Sequence, residues 1–300
     1  MSVRVEEFLV EEVKDIPEWI RKEDEGKELL NIVVTSSYQH AFTAWENNAL
    51  VGILVSWYNQ FHPHCTYIKI MSNSKTDDEL VVGALMNRLK QKEVKYPLQT
   101  SLWESSIEHR NTLKAYGFME IRRTYLPCLN SEQIIGKPVL NLENAYLLSL
   151  TEVKENITLR DELINLVKSN YERSHMVNPV ATLNISDWEE LIFAEDLIER
   201  GSYLAIEKGS QKLLAYSFLH HSTEQDRVEL GWCGTNDNKD INLLQNLVSC
   251  QLYYIKSEGF QKVEGEFDTT DPFAMEILKS FPFKQTEAWI TYQLEKAPAT

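Results

Sequence analysis

One order of elements is written twice along this chain, and that repetition restricts its fold more than any other feature. In the first half, HAFTAWENNALVGILVSWY reads as two β-type runs about Asn47-Asn48, a hairpin. Then come a strand CTYIKIM, a helix DDELVVGALMNRLKQ with acids in its first turn, and a strand LQTSLWES. A short helix EHRNTLKAYGF and a strand FMEIRRTYL close the half. The second half runs hairpin SYLAIEKGSQKLLAYSFLHH, strand RVELGWCG, helix INLLQNLVSCQLYYIKSEGF, strand KVEGEFD, short helix PFAMEILKSFPF and strand EAWITYQL. Matching positions keep a nearly constant offset: Ala44 to Ala205 is 161, Gly52 to Ala215 is 163, Leu85 to Leu247 is 162, and Gly117-Phe118 to Pro282-Phe283 is 165. An internal duplication accounts for such spacing.

The join falls in NSEQIIGKPVLNLENA, residues 130–145, whose Gly-Lys-Pro and Asn residues suit a linker. The reading is a mixed α/β (α+β) chain of two domains, 1–135 and 136–300, each a twisted mixed sheet flanked by helices. A helical opening from Val13 to about Ile32, interrupted at Pro17, precedes the first hairpin. Three hundred residues at 43% hydrophobic content suffice for two cores. The formal net charge of −15 repels phosphate backbones, so no nucleic-acid partner is expected. Most of that acidity lies in the second half: residues 1–150 carry 16 basic and 20 acidic groups, the remainder 14 and 25. Cys65, Cys128, Cys233 and Cys250 stand far apart, and no secretory leader precedes the fold, which favours a reduced, cytoplasmic setting. Apolar runs fall short of the ~20 residues that a bilayer span needs, so no membrane partner is expected. HPHC at 62–65 has no second His/Cys cluster at metal spacing and reads as loop sequence; no metal is expected. His220 and His221 adjoin a hairpin turn, His175 precedes Asn178-Pro179, and each reads as a surface histidine.

On this order the chain resembles the GNAT acyltransferase superfamily, in its bacterial tandem form. ESSIEHRNTLKAYGFMEIRRTY resembles that family's C-terminal helix-turn-strand, and LGWCGTNDNKDINLLQNL resembles its acetyl-CoA motif. NPVATLNISDWEELIFAEDLIERGSYLAIE resembles a segment found before the second hairpin of tandem members. The resemblance implies an acetyl-CoA-dependent N-acyltransferase working on a small amine. The family's loop reads Arg/Gln-x-x-Gly-x-Gly/Ala, and its backbone amides and helix N-terminus hold a pyrophosphate. Laid on the second repeat, Lys239 takes the basic position, with Asn242 and Leu244 at the glycine-type positions. The implied cofactor-binding stretch is Trp232, Cys233, Gly234, Thr235, Lys239, Asp240, Ile241, Asn242, Leu243 and Leu244. Side chains at Asn242 and Leu244 are expected to stand where the family presents bare backbone. On the first repeat the three positions are Asp77, Leu80 and Val82, and Asp77, Asp78 and Glu79 repel a phosphate that Lys75 offsets only in part.

A family tyrosine that serves as acid aligns with Leu113 and Leu278, so it is absent twice. Tyr116 and Tyr292 are near those positions in sequence. Glu229 is the candidate base. Simple strand alternation puts Glu229, Gly231 and Cys233 on one face and Val228, Leu230 and Trp232 on the other. Cys233 reads as a small buried residue, and Trp188, Leu191 and Ile192 as one apolar helix face. The alternative is a catalytically inactive GNAT-fold binding or interaction protein, supported by the lost glycines and the missing tyrosine. The tRNA-dependent amino-acid transferases of the tandem class fit poorly with the net charge of −15.

Overall fold

The computed structural model describes residues 3–8, 13–14, 16–35, 37–73, 78–134, 136–140, 142–153, 155–236 and 240–296. In chain order the first repeat gives β1 (Arg4–Glu7), α1 (Glu18–Arg21), α2 (Asp24–Val34), β2 (His40–Glu46), β3 (Ala49–Trp57) and β4 (Thr66–Ser72). It continues with α3 (Asp78–Lys90), β5 (Leu98–Trp103), α4 (Ile107–Ala115), β6 (Met119–Tyr125) and β7 (Cys128–Asn130). The second repeat gives β8 (Ala145–Ser149), α5 (Leu150–Val153), α6 (Ile157–Ser174), α7 (Ile185–Ile192), β9 (Tyr203–Glu207), β10 (Leu213–His221) and β11 (Arg227–Thr235). Its remaining elements are α8 (Ile241–Glu258), β12 (Lys262–Gly265), β13 (Phe267–Asp268), α9 (Pro272–Ser280) and β14 (Ala288–Leu294). The strand β1, the 18-residue helix α6 and the strand β8 have no counterpart in the sequence reading.

Local chemistry explains the punctuation. Asn47 and Asn48 take φ values of 49° and 63°, the left-handed pair that a two-residue hairpin turn demands. Asn156 caps α6 by accepting from the Leu159 amide, and Asn184 with Asp187 forms a capping box on α7. Asp271 caps α9 just before Pro272. Gly259 ends α8 with φ 84°, where a side chain would be strained.

The chain divides into two compact units: residues 1–121, 177–181 and 289–300 form one, 122–176 and 182–288 the other. These differ from a contiguous division at 135/136, because the last strand of each repeat pairs in the other unit. In the first unit β1, β2, β3, β4 and β5 are joined by β14, which runs antiparallel to β5 from Trp289↔Trp103 to Leu294↔Leu98. In the second, β8, β9, β10, β11 and β12 are joined by β7, antiparallel to β12 from Lys262↔Asn130 to Glu264↔Cys128. Both sheets are mixed: β4·β5 and β11·β12 are parallel and the hairpins antiparallel.

The duplication is visible in the packing. Ala44 faces Gly52 across the first hairpin, and Ala205 faces Ala215 across the second. A Cβ on Gly52 would stand 3.2 Å from Leu85 of α3, while Ala205 and Ala215 pack on Leu247 of α8. The first unit's core gathers Phe8, Ile20, Leu29, Val33, Ile53 and Val55; the second gathers Val228, Leu230, Leu244, Val248, Leu252 and Phe273.

The motif HPHC is structural in the first unit. His62 Nδ1 donates to the Asn178 carbonyl at 2.9 Å, and buried Cys65 Sγ to Asn178 Oδ1 at 3.6 Å. Asn178 Nδ2 donates to Tyr67 Oη at 2.8 Å, so residues 177–181 are tied onto this unit.

Candidate functional site

The second unit's site is built on β11, and one irregularity decides what each side chain there meets. His220 faces Glu229 and Leu219 faces Leu230, but Ser217 faces Cys233, so the single residue Phe218 of β10 stands opposite two of β11. This is a β-bulge at Gly231–Trp232, and an extra residue reverses the alternation beyond it. Val228 and Leu230 lie in the core beneath α8 and α9, and Cys233 packs against the same core. Trp232 lies on the opposite side, its ring 5.0 Å from that of Tyr171 and 6.4 Å from that of Trp188. Cys233 therefore does not share a face with Glu229, as plain alternation suggested; the bulge moves it to the core. Gly234 is explained by close approach. A Cβ there would fall 2.3 Å from Asn170 Nδ2 of α6, which also donates to the Thr235 carbonyl at 3.4 Å.

Next to the bulge the sheet parts. The parallel register of β11 with β12 runs from Arg227↔Lys262 to Leu230↔Gly265 and stops. Beyond Gly265 the chain turns away as β13, pairing Phe267 with Tyr125 and Asp268 with Thr124, while β11 continues to Thr235. KVEGEFD, read as one strand, is thus two, with Glu266 at the break. Near the parting lie Glu229, Glu264, Glu266, Asp268 and Asp271. Glu229 is exposed at the sheet surface, but partial desolvation by its neighbours raises its carboxyl above the usual range; His220 opposes the rise, and Glu264 and Asp196 add to it. Partial desolvation likewise raises Glu266, also exposed, reinforced by Asp268 and Glu229 and opposed by Arg122. Asp271 accepts from the Phe273 amide at 2.8 Å and the Ala274 amide at 3.2 Å. Burial nonetheless raises its pKa, although those amides and Arg173 pull it down. Cys233 is raised well above an ordinary thiol by burial and by the Asp271 charge. It is a packed thiol, not a poised nucleophile. Arg227 holds Glu264 at 2.7 Å, and Arg173 lies over the Phe273 ring at 5.1 Å.

After β11 the Asn236 amide donates to the Leu214 carbonyl at 2.7 Å. Lys239, the expected basic residue, lies outside the described residues, as do Asp77 and Lys75 of the first repeat. Asp240 occupies the cap of α8, and its side chain makes no capping hydrogen bond. Ile241 packs toward the core, Leu243 on Ala205 and Ala215, and Leu244 is fully buried. Leu244 is packed in the core, so its side chain does not stand out at the helix start as the motif placement suggested. Asn242 is exposed. An opened strand pair leading to the start of α8 suits a pyrophosphate with an extended arm.

The first unit treats the same place differently. Asp78 at the start of α3 accepts from Ser72 Oγ and lies 3.2 Å from His109 Nδ1. Burial raises its pKa, but His109 and Ser72 outweigh this and hold it at about 2. A fixed carboxylate thus stands where an anion would bind. Buried Lys69 of β4 lies 2.7 Å from Glu28 and 3.7 Å from Glu25.

Neither repeat has a tyrosine at the acid position: Leu113 is fully buried and Leu278 packs on the second unit's core. Tyr292 is buried and accepts from Arg110 Nε at 3.0 Å, and Tyr116 lies against Gly83 of α3. Sequence reasoning missed Glu264, Glu266, Asp268 and Asp271. The signal for the first three is the alternation of acids with Val263, Gly265 and Phe267. It also set His220 aside as a surface residue, although the ring is 19% exposed and lies 3.3 Å from Asp196.

No protein-family model matches this sequence, and neither does any curated protein. Solved structures do. One is a GCN5-related N-acetyltransferase from Sphaerobacter thermophilus, 11% identical with a TM-score of 0.61, covering 98% of this chain and 95% of that one. A tandem GNAT protein from the clavulanic acid biosynthesis pathway, solved without acetyl-CoA, is 11% identical with a TM-score of 0.57, each chain covered in full at 100%. A third is the GCN5-related glucosamine N-acetyltransferase region of a fungal multi-domain GH3 β-N-acetylglucosaminidase, 10% identical with a TM-score of 0.60, covering 98% of this chain and 38% of that one. At such identity the likeness speaks of fold. The chain carries the GNAT fold twice, in two mixed sheets flanked by helices.

Proposed function

We propose that this protein transfers an acetyl group from acetyl-CoA to a small amine, and that the second unit carries the site. The observation that supports this most is the parting of β11 from β12 one residue past Glu229, on the strand that leads to the start of α8. When bound, acetyl-CoA supplies an activated acyl group as a thioester. The first-turn amides of α8, from Ile241 through Leu244, would hold its pyrophosphate, with Lys239 adding a positive charge. Trp232, Cys233, Gly234, Thr235 and Asp240 complete that stretch, Gly234 and Cys233 by backbone, because their side-chain positions are taken by Asn170 and the core. Glu229 accepts a proton from the acceptor amine, and a pKa raised above the usual carboxylate range makes it a better proton acceptor. The surrounding carboxylates favour a cationic acceptor. With Leu278 at the tyrosine position, solvent would supply the proton to the leaving thiolate.

A catalytically inactive binding protein is the second reading, favoured by leucine at both acid positions and by the occupied Asp78 site in the first unit. Calorimetry with acetyl-CoA, followed by turnover against a panel of primary amines, separates the two. Binding with turnover supports the transferase. Binding without turnover supports the second reading, and neither binding nor turnover removes the first.

A further inference from the structure

The antiparallel ladder sets His220 of β10 directly opposite Glu229 of β11. Such partners bring their Cβ atoms to about 5 Å on one face of the sheet. On the far side of the ring, Asp196 Oδ2 lies 3.3 Å from His220 Nδ1. That aspartate is held beside the strand by its backbone: the His221 amide donates to the Asp196 carbonyl at 2.8 Å, and Leu197 bridges His220. Gly231 lies against the ring. A Cβ there would come 2.5 Å from His220 Cδ2 and 2.7 Å from Nε2, so only glycine lets the imidazole lie on the strand. Nδ1 is thus turned to Asp196, and Nε2 stands over bare backbone, two positions along β11 from Glu229.

We propose that His220, oriented by Asp196 and seated on Gly231, is a second proton-accepting residue of the acceptor face, working in relay with Glu229. The inference rests on the acyl-transfer reading for its substrate, a primary ammonium ion. The step is a proton transfer alone. One N–H bond of the ammonium breaks, its electron pair stays on nitrogen, and the proton passes from the Glu229 carboxylate through a solvent molecule to Nε2, since the two side chains make no direct hydrogen bond. Asp196 then carries the opposite charge to the imidazolium that forms. The charged groups around the ring are Asp196 from the segment before β9, Glu229 from β11, and Glu264 of β12 beyond it. Glu264 is already held by Arg227 at 2.7 Å, which leaves Asp196 and Glu229 as the pair that flanks the ring.

The test uses the full chain and two readouts. Carboxyl ¹³C NMR follows the titration of Glu229 in the parent, His220→Asn, His220→Gln and Gly231→Ala proteins, each checked for native dispersion. Loss or displacement of the imidazole should raise the Glu229 midpoint, because His220 opposes the rise imposed by partial desolvation. Ring ¹⁵N spectra should show the Nδ1–H tautomer of His220 in the parent and lose that preference in Asp196→Asn. An unmoved Glu229 midpoint in both folded His220 variants overturns the relay. With acetyl-CoA and an active amine, His220→Gln should lower kcat by about tenfold or more with KM for acetyl-CoA unchanged. Unchanged kcat also overturns it. Absence of turnover in the parent counts against the transferase and leaves the NMR titration to decide the relay.

Discussion

Glu229 and Asp78 are two acids treated in opposite ways by their surroundings. Glu229 is raised above the usual carboxylate range by partial desolvation and like charges, which strengthens it as a proton acceptor. Glu229→Gln keeps its shape and removes that base. Turnover should fall by about 10²-fold or more while acetyl-CoA affinity, measured by calorimetry, hardly changes. Unchanged turnover would remove Glu229 from the mechanism. Asp78 is pulled from 3.8 to about 2. A depressed carboxylate contributes stability that is present above its unfolded pKa and lost as pH falls through the folded one. The contribution should therefore be full above about pH 5, mostly lost by about pH 2 and gone by about pH 1, with a size of about 2.5 kcal/mol at most. Urea unfolding of Asp78→Asn beside the parent at pH 7 and pH 2 checks this. An equal gap at both values would show that Asp78 stabilises the first unit by shape, not charge.

Along α8, two neighbouring positions that look alike in a motif have separate duties. Leu244 is fully buried among Leu230, Val248 and Phe273, while Asn242 is exposed. Leu244→Ala should cost about 2–5 kcal/mol in chemical denaturation, since it empties a packed site. Asn242→Ala should leave stability within about 0.5 kcal/mol. If Asn242 stands beside the pyrophosphate, the second substitution should alter acetyl-CoA affinity. A small loss of stability in Leu244→Ala would mean that the helix start relaxes around the gap. The same helix illustrates what a motif reading conveys. Its start after Asp240 and its stop at Gly259 follow from local chemistry, but the inward turn of Leu244 follows from how α8 lies on β11.

For the molecule as a whole, the exchanged strands set the rule of assembly. Residues 1–135 alone lack β14, so β5 loses six paired residues, from Leu98 to Trp103. Residues 136–300 alone lack β7 and leave the outer edge of β12 unpaired. Open edges of this kind promote aggregation. Each half expressed alone should be insoluble or should unfold without cooperativity, and co-expression should restore a soluble complex by size exclusion. A half that unfolds cooperatively by itself would show that the exchange is dispensable. The duplication, both hairpins and the helices α3 and α8 were legible in the sequence, because each rests on short-range rules: a two-residue turn, a strand period, a glycine stop; the 18-residue α6 was not. Glu229 was legible as a strand carboxylate in a recognised order. The β-bulge that carries Cys233 to the core, the partner of β14, and the Asp196–His220–Glu229 row were decided by the tertiary structure alone. The reason is that a β-strand offers the same backbone donors and acceptors to any edge of suitable length. Which edge it takes, and in what register, depends on residues far along the chain whose packing leaves no local trace.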